Sequence, residues 1–317
     1  MAALSDRSPV ICIVGPTASG KSDLAQAVCL RIGGEVVSAD SMQVYRGMDI
    51  GTGKMPVAHR KVPHHGLDLV DPGEPFSAAL FQDYARRCFD DIEGRGKHAV
   101  LCGGTGFYVR AAIDDYEFPK GEQVGNPVRE KYLAIAEEQG SHALWTLLLE
   151  TDPSSARVIP ENDVKRVVRA FEMLEDGTSY AEQKEKLAHI PQRYPAVFIG
   201  LSVPPEVLRE RIDRRVDAMV AEGLVEEVQG LLEAGFREGI TAPQAIGYKE
   251  IVEALDGRIS LEEAVESIKV ATHRYAKRQR TWFRKDRRIR WIDASDSSLE
   301  ALEREALEII GYHEHHA

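Results

Sequence analysis

Val10-Ile11-Cys12-Ile13-Val14-Gly15-Pro16-Thr17-Ala18-Ser19-Gly20-Lys21-Ser22 decides how this chain folds. Five consecutive apolar residues read as a short strand buried on both faces, since the run is too brief for a helix. Gly-x-x-x-x-Gly-Lys-Ser follows at once, and a helical pattern over 23–32 follows that, closed by Gly33-Gly34. Strand, turn and helix in this order are the setting of a phosphate loop. The glycines let the backbone turn tightly and aim several N–H groups at one point, where the new helix adds the positive end of its dipole. Lys21 brings a mobile positive charge, and the Ser22 hydroxyl is placed to ligate Mg²⁺. A Gly-rich turn that binds nothing is the competing reading. The loop implies a polyphosphorylated ligand and leaves open which bond breaks.

Working outward, residues 35–39 predict a second strand that ends at Asp40-Ser41-Met42-Gln43. In an open α/β sheet, ligands bind beyond the carboxyl ends of strands, so Asp40 shares a crevice with the phosphate loop. It can be a metal-associated carboxylate, a general base, or a helix cap. Residues 98–102 predict another buried strand, running into Gly103-Gly104-Thr105-Gly106. The Thr105 hydroxyl there can orient a phosphate oxygen or a metal-bound water, or serve turn chemistry alone. A strand over 196–201 returns the chain to the sheet, and Pro204-Pro205 opens a helix carrying Arg209, Arg211, Arg214 and Arg215. One of these faces the crevice in this reading, and surface pairing with Glu210 and Asp213 accounts for the rest.

The segments 45–54 and 62–68 read as loops, and hydrogen bonding is the expected use of His64-His65, because adjacent histidines rarely complete a metal site. Helices are expected over 77–92, with Ser77 as cap, and from Phe107 to Ala112. The texture changes at 116–126, where Pro119, Gly121 and Gly125 fall among charges. Helical patterns follow over 127–138, 144–150, 162–175 and 179–187, which together suggest a small helical insertion of about 75 residues. Further helices are expected over 222–234 and 261–276, with little pattern after Asp293 and a frayed tail at 313–317.

The 317 residues carry a formal net charge of −11, which disfavours a generally basic coat while allowing a local nucleic-acid patch. Such a patch lies at 274–290, where nine Lys or Arg and one acid are interleaved with Tyr275, Trp282 and Phe283. That mixture suits phosphate contacts plus stacking on unpaired bases, and a solvated helix end is the plainer alternative. Cys12, Cys29, Cys88 and Cys102 have no metal-like spacing and read as reduced thiols of a cytoplasmic protein. The start of the chain is short and polar, unlike a secretion signal, and no apolar run reaches the roughly 20 residues of a membrane helix.

Taken together, these blocks resemble the bacterial tRNA dimethylallyltransferases. The resemblance rests on 15–22, on Asp40-Ser41-Met42-Gln43-Val44-Tyr45-Arg46-Gly47-Met48-Asp49-Ile50-Gly51-Thr52, on Pro63-His64-His65, and on Gly103 to Tyr108. It continues through Asn162 to Arg166, Ile246 to Glu250, and Tyr275 to Gln279 followed by Thr281 to Arg284, spanning residues 10–293. It implies an α/β fold: a phosphate-loop NTPase-like core with a mostly parallel sheet, plus a small helical insertion domain. The expected division is a first core segment over 8–118, an insertion over 119–193 that clamps the tRNA anticodon stem-loop, and a return to the core over 194–310.

The resemblance also implies transfer of the dimethylallyl group of dimethylallyl diphosphate to N6 of the adenosine on the 3′ side of the anticodon, with Mg²⁺ and without ATP hydrolysis. By that resemblance the diphosphate is held by Gly15, Thr17, Ala18, Ser19, Gly20, Lys21, Ser22 and Arg215, and Ser22 ligates the metal. Asp40 falls on the general base and Thr105 on the leaving-group threonine. The tRNA-contact regions fall on Asp40, Ser41, Met42, Gln43, Lys165, Arg166, Arg169, Gln244, Gly247, Tyr248 and Lys249. They continue along Arg274, Lys277, Arg278, Gln279, Trp282 and Arg284. A monomer is expected. His273 stands where an arginine is usual, and Gly53-Lys54-Met55-Pro56 where Ala-Lys-Pro is common. A small-molecule kinase, a prenyltransferase acting on free adenylates and a nucleotide-switched RNA-binding module are the alternatives. The first and last leave the basic-aromatic run or the pair Asp40 and Thr105 unexplained, and the second needs less RNA-binding surface than this chain carries.

Overall fold

The computed structural model describes residues 7–118, 126–188 and 190–312. Most of the expected boundary loop, over 119–125, and the tail over 313–317 lie outside the described residues. The described elements run β1 (Val10–Val14), α1 (Lys21–Ile32), β2 (Gly34–Ser38), β3 (His64–His65), α2 (Ala78–Gly94), β4 (His98–Gly103) and α3 (Gly106–Ile113). Then come α4 (Pro127–Thr151), α5 (Pro153–Val158), α6 (Val164–Glu175) and α7 (Tyr180–Ala188). The chain finishes with β5 (Ala196–Ser202), α8 (Pro205–Ala221), α9 (Leu224–Glu233), α10 (Tyr248–Leu255), α11 (Leu261–Phe283), β6 (Ile289–Asp293) and α12 (Leu299–Ile310). Two compact units result: Met1–Asp114 with Gln192–Ala317, and Asp115–Pro191.

In the first unit the strands form one sheet, in the order β3-β2-β4-β1-β5-β6, and every neighbouring pair is parallel. Parallel sheets need both faces covered, and β1 shows how its five apolar residues are used. Ile11 and Ile13 join a core with Leu24 and Val28 of α1 and Leu208 and Ile212 of α8. Val10, Cys12 and Val14 join the opposite core, with Phe81 and Phe89 of α2 and Tyr108 of α3. Register puts Val14 beside Gly103 and Gly200, and Ser38 beside Cys102. The turns after β1, β2 and β4 therefore leave the sheet side by side, at the carboxyl ends of its strands.

Several elements depart from the sequence expectation. The 62–68 loop contains the short edge strand β3, paired with β2. β6 extends the other edge beside β5, and α12, capped by Ser298, follows where little pattern was expected. α5 was not anticipated, and α11 continues through the basic run to Phe283. The two helices expected over 127–150 are nearly continuous, broken at Gly140 with φ 87° and ψ 166°. All four cysteines are free, three of them buried. No helix among the described residues is long and apolar enough to cross a membrane.

β3 is held by charge as well as by the ladder. Glu35 of β2 is buried, yet its carboxylate accepts from Arg95 Nη2 (2.8 Å) and Lys97 Nζ (2.7 Å) and lies 2.8 Å from His65 Nε2. These partners, Arg95 foremost, hold Glu35 far below the ordinary carboxylate range. His64 Nδ1 bonds Val62 O at 2.9 Å, so both histidines serve hydrogen bonding.

The second unit has its own core of Tyr132, Leu144, Leu148, Ile159, Val167, Val168 and Phe171. Tyr132 and Phe171 stack with centroids 3.8 Å apart. Buried Glu172 accepts from Arg129 Nε at 2.5 Å and from Arg169 Nη1 at 2.9 Å. Asp152 caps α5 at Ser155 N (3.1 Å) and accepts from Ser179 Oγ (2.8 Å).

Candidate active site

The phosphate loop enters α1 through two left-handed residues, Ala18 at φ 60° and Gly20 at φ 88°. Alternating hand turns successive N–H groups towards a common anion position. Ser19 Oγ is buried in this loop without a hydrogen-bond partner among the described residues, an orphan that a phosphate oxygen would satisfy. Lys21 is half-buried, and its Nζ donates to Pro16 O at 2.6 Å. Burial, reinforced by the Arg215 guanidinium, pushes the ammonium down to about 8. Ser22 is exposed at the first turn of α1 and lines the same cavity as Lys21 and Asp40.

That cavity has a volume of about 330 Å³ and lies wholly within the first unit. Its polar end carries Thr17, Lys21, Ser22, Asp40 and Arg215. Its apolar wall includes Met42, Met55, Ile212, Val216, Met219 and Ile268. Asp40 follows β2, and its Oδ1 accepts from Met42 N at 2.9 Å, which fixes the turn. Thr105 follows β4, and its Oγ1 accepts from Ser41 N at 3.1 Å, so it is tied directly to the Asp40 turn. Gln43 closes that turn, accepting from Ser38 Oγ at 2.9 Å and donating to Thr52 O at 3.3 Å.

Of the four arginines of α8 singled out in the sequence, Arg215 lines the cavity. Arg211 donates to Ser295 O, Arg214 to Glu210 O at 3.4 Å, and Arg209 is exposed. Arg215 Nη2 donates to Gly53 O at 3.4 Å. A Cβ on Gly53 would stand 1.5 Å from that nitrogen, so the glycine opens the path the guanidinium takes. His273 does not face the cavity as a phosphate contact would. Its Nε2 lies 2.7 Å from Asp213 Oδ1, pairing α11 with α8.

α11 has an exposed face and a buried one, and exposed Arg278 also lines the cavity. Arg274, Lys277, Arg278, Thr281, Trp282 and Lys285 recur at helical spacing and are exposed, with exposed Arg284 beside them. Ala276, Gln279 and Phe283 face inward and are buried. Trp282 lies against Gly106, where a Cβ would approach its ring to 2.1 Å, and its ring meets Phe107 edge-on at 6.5 Å. Arg288, counted in the basic run, is structural instead, pairing with buried Asp114 at 2.5 Å and with Asp286 at 2.6 Å.

Among the expected tRNA contacts, Lys249 is exposed and Gln244 lines the cavity. Tyr248 and Gln279 also line the cavity, and the side chains of both are buried and hydrogen-bonded within the protein. Tyr248 donates to Glu227 Oε1 at 2.7 Å. Gln279 accepts from Thr17 N at 2.8 Å and donates to Gly104 O at 3.0 Å, bracing the phosphate loop against the β4 turn. Gly247 is buried, with its N–H donated to Glu250 Oε2 at 2.8 Å. In the second unit Lys165 and Arg166 are exposed, while Arg169 is engaged with Glu172.

One contributor escaped sequence reading, and Tyr275, read there as an aromatic of the basic run, takes a place that reading did not give it. Glu227 of α9 collects the N–H groups of Asp49, Ile50 and Gly51 at 3.0, 2.8 and 3.2 Å, fixing the loop that bears Gly53. Tyr275 lines the cavity one turn before Gln279, and that i,i+4 pair of polar residues on an inward face was the available signal.

Residues 43–286 match the family model described as IPP transferase, and residues 8–61 match that of isopentenyl transferase. The chain belongs to the IPP transferase family. It is 46% identical over 296 residues to the tRNA dimethylallyltransferase of Carboxydothermus hydrogenoformans, covering 92% of this chain and 94% of that relative. Against the enzyme of the same name from Geobacillus thermodenitrificans the identity is 45%, covering 90% and 91%. Among solved structures, the tRNA delta(2)-isopentenylpyrophosphate transferase of Staphylococcus epidermidis superposes with a TM-score of 0.71 at 38% identity, covering 96% of this chain and all of that one (100%). A eukaryotic dimethylallyltransferase acting on tRNA reaches 0.78 at 30% identity, covering 95% of this chain and 78% of that one. The phosphate loop of this IPP transferase family member thus faces a cavity lined by both polar and apolar side chains.

Proposed function

We infer that this IPP transferase family member transfers a dimethylallyl group from dimethylallyl diphosphate to an adenosine near the anticodon of tRNA, giving isopentenyladenosine and diphosphate. The acceptor atom is N6 of the adenosine on the 3′ side of the anticodon. One observation carries this reading: an anion-binding loop and an apolar wall share one cavity, with a carboxylate, Asp40, lining it too. A small-molecule kinase would leave the basic-aromatic exposed face of α11 without a role.

In the reaction the bond between the bridging oxygen and the allylic carbon breaks, and a bond from that carbon to N6 forms. Negative charge grows on the departing diphosphate, where the loop N–H groups, Lys21 and Arg215 stabilise it. The apolar wall keeps water from the allylic carbon while it carries positive charge. The N6 lone pair forms the new bond, and Asp40 takes the N6 proton as it does so, which leaves the product nitrogen uncharged. The adenosine leaves its stack to reach the cavity, at low cost in a loop that is already single-stranded.

Mg²⁺ fits the donor set. Among the described residues no group of three His, Cys, Asp or Glu side chains forms a cage. A hard cation that keeps its waters and takes substrate phosphates needs one hydroxyl such as Ser22, which lines the cavity. When bound, it neutralises charge on the leaving diphosphate. The exposed face of α11 and the exposed Lys165 and Arg166 of α6 are the proposed tRNA contacts, and the enzyme is proposed to act as a monomer. Its proposed setting is the cytoplasm, in keeping with four free thiols.

Incubation with Mg²⁺, labelled dimethylallyl diphosphate and either unmodified tRNA or AMP tests the reading. Label in tRNA alone is expected. Label in AMP would establish an adenylate prenyltransferase, and label in neither would overturn prenyl transfer.

A further inference from the structure

Gln279 is the side chain through which α11 reaches the turns of the site. It is 5% exposed, and both ends of its amide are engaged. Oε1 accepts from Thr17 N at 2.8 Å, and Nε2 donates to Gly104 O at 3.0 Å. An N–H on one side and a carbonyl on the other admit one orientation of the amide, since the flipped one sets like against like. Thr17 belongs to the phosphate loop, and Gly104 directly precedes Thr105.

The helix is anchored on both sides of this position. Ala276 lies in the core that holds Ile11 and Ile13 of β1, while Phe283 lies in the opposite core, with Val10 and Val14. α11 therefore passes over the carboxyl ends of the strands, and Gln279 stands in the span between its two anchors. Gly104 makes the room. A Cβ there would stand 2.2 Å from Gln279 Nε2, while Gly15 O, the nearest atom outside that side chain, is 3.5 Å away. The Gly104 backbone is not left-handed, so the amide and not the turn calls for glycine. Pro16 has no N–H, and that of Thr17 is committed to Gln279, so the anion is left to the N–H groups that follow. An acceptor fixed from outside the loop holds those groups in place before the anion arrives, with no reorganisation when it does.

We propose that Gln279 is a positioning residue for the prenyl transfer: it holds the phosphate loop and the turn bearing Thr105 at one separation, so that the diphosphate is bound in register with Thr105 and Asp40. The inference rests on the prenyl-transfer reading above. Thr105 Oγ1 accepts from Ser41 N at 3.1 Å, which carries the brace on to the Asp40 turn. The family resemblance puts Gln279 among the tRNA contacts, whereas this duty lies on the donor side.

The test is a cycle of Gln279→Ala and Gly104→Ala, alone and together. Affinity for magnesium diphosphate is read by calorimetry without tRNA, tRNA Kd by filter binding, and transfer in single turnover at saturating prenyl donor. Gln279→Ala is expected to weaken diphosphate binding about tenfold and to slow transfer about tenfold or more, with tRNA Kd within about twofold. Gly104→Ala is expected to do the same by displacing the amide, and to cost less than about twofold in the Gln279→Ala background, where no amide remains to displace. Gln279→Met keeps the bulk and loses both hydrogen bonds. It is expected to match Gln279→Ala, so that a cavity in the alanine variant does not decide the outcome. Wild-type diphosphate affinity in the Gln279 variants, a raised tRNA Kd with diphosphate affinity intact, or an equal loss from Gly104→Ala in both backgrounds overturns the proposal. Failure of the prenyl-transfer reading is separate, because the unmodified protein then labels no tRNA.

Discussion

Lys21 meets its ligand in an unusual protonation balance. Its ammonium falls to about 8 through burial, against an ordinary value of 10.5. The unfolded chain thus holds this proton more tightly than the folded one, so the folding cost is full below about pH 8 and fades as pH rises towards 10.5. Bound diphosphate reverses the shift, because a polyanion favours the charged lysine. Diphosphate affinity relative to a Lys21→Met variant is therefore expected to be greatest below pH 8 and to fall as pH rises through it, measured by calorimetry. Referring each value to the variant removes the titration of diphosphate itself. Asp40→Asn keeps the turn bonded to Met42 N and removes the base. It is expected to lower transfer about 10²- to 10⁴-fold, with tRNA Kd within about twofold. Wild-type single-turnover rates in that variant would remove the base role. Residues such as Lys21 and Asp40 were legible in the sequence because each stands in the turn region that follows a strand, where local pattern reports place. Glu227 was not, since it reaches the site from an element distant in sequence, and Tyr275 was read as an aromatic of the basic run without its place in the cavity lining.

At the scale of elements, α11 is one helix with two purposes, and its exposed stripe yields a salt-dependent prediction. Neutralising Lys277 and Arg278 together is expected to weaken tRNA binding and to flatten the slope of log affinity against log salt by about 1.5, the release expected of two phosphate contacts. An unchanged slope excludes direct contact. Gly106→Ala drives a methyl into the Trp282 ring and is expected to weaken tRNA binding while sparing diphosphate affinity. β2 and β3 yield a stability prediction. Glu35→Gln is expected to cost about 1–2 kcal/mol near pH 7 in urea unfolding, a value reduced because Arg95 and Lys97 can return to water. Glu35 has its folded value depressed, so its contribution is complete above the ordinary glutamate range and is lost as pH falls through the folded value. The gap between wild type and variant should therefore narrow on acidification. The elements missed in the sequence have a common cause. β3 is two residues long, below any periodicity. β6 exposes Arg290 and Trp291 at the sheet edge, so its composition continued the basic run before it. α12 buries chiefly Leu302 and Ala306, a weak stripe whose clearest mark was the Ser298 cap.

For the whole molecule, the division into units carries a prediction about what each half of the substrate requires. The loops proposed to hold diphosphate, the apolar wall and the exposed stripe of α11 all belong to the first unit. The strands of that unit are complete without residues 115–191, and both of its cores are built from its own side chains. The chain leaves and returns at adjacent points, because Asp114 pairs with Gln192 in an isolated antiparallel bridge. Replacing 115–191 by a short Gly-Ser link therefore removes no strand and leaves Asp114 bonded to Arg288. The shortened protein is expected to unfold in one cooperative step and to bind diphosphate within about threefold of the full chain. Its affinity for tRNA is expected to drop about tenfold or more, since the exposed cations of α6 go with the deleted segment. Calorimetric titration with diphosphate, beside filter binding with tRNA, reads the two affinities independently. Loss of both would show that the first unit depends on the second to fold, and retention of both would place every tRNA contact on the first unit. The expected split assigns grip on the leaving group to the carboxyl ends of the strands, and part of the hold on the acceptor to the inserted helices.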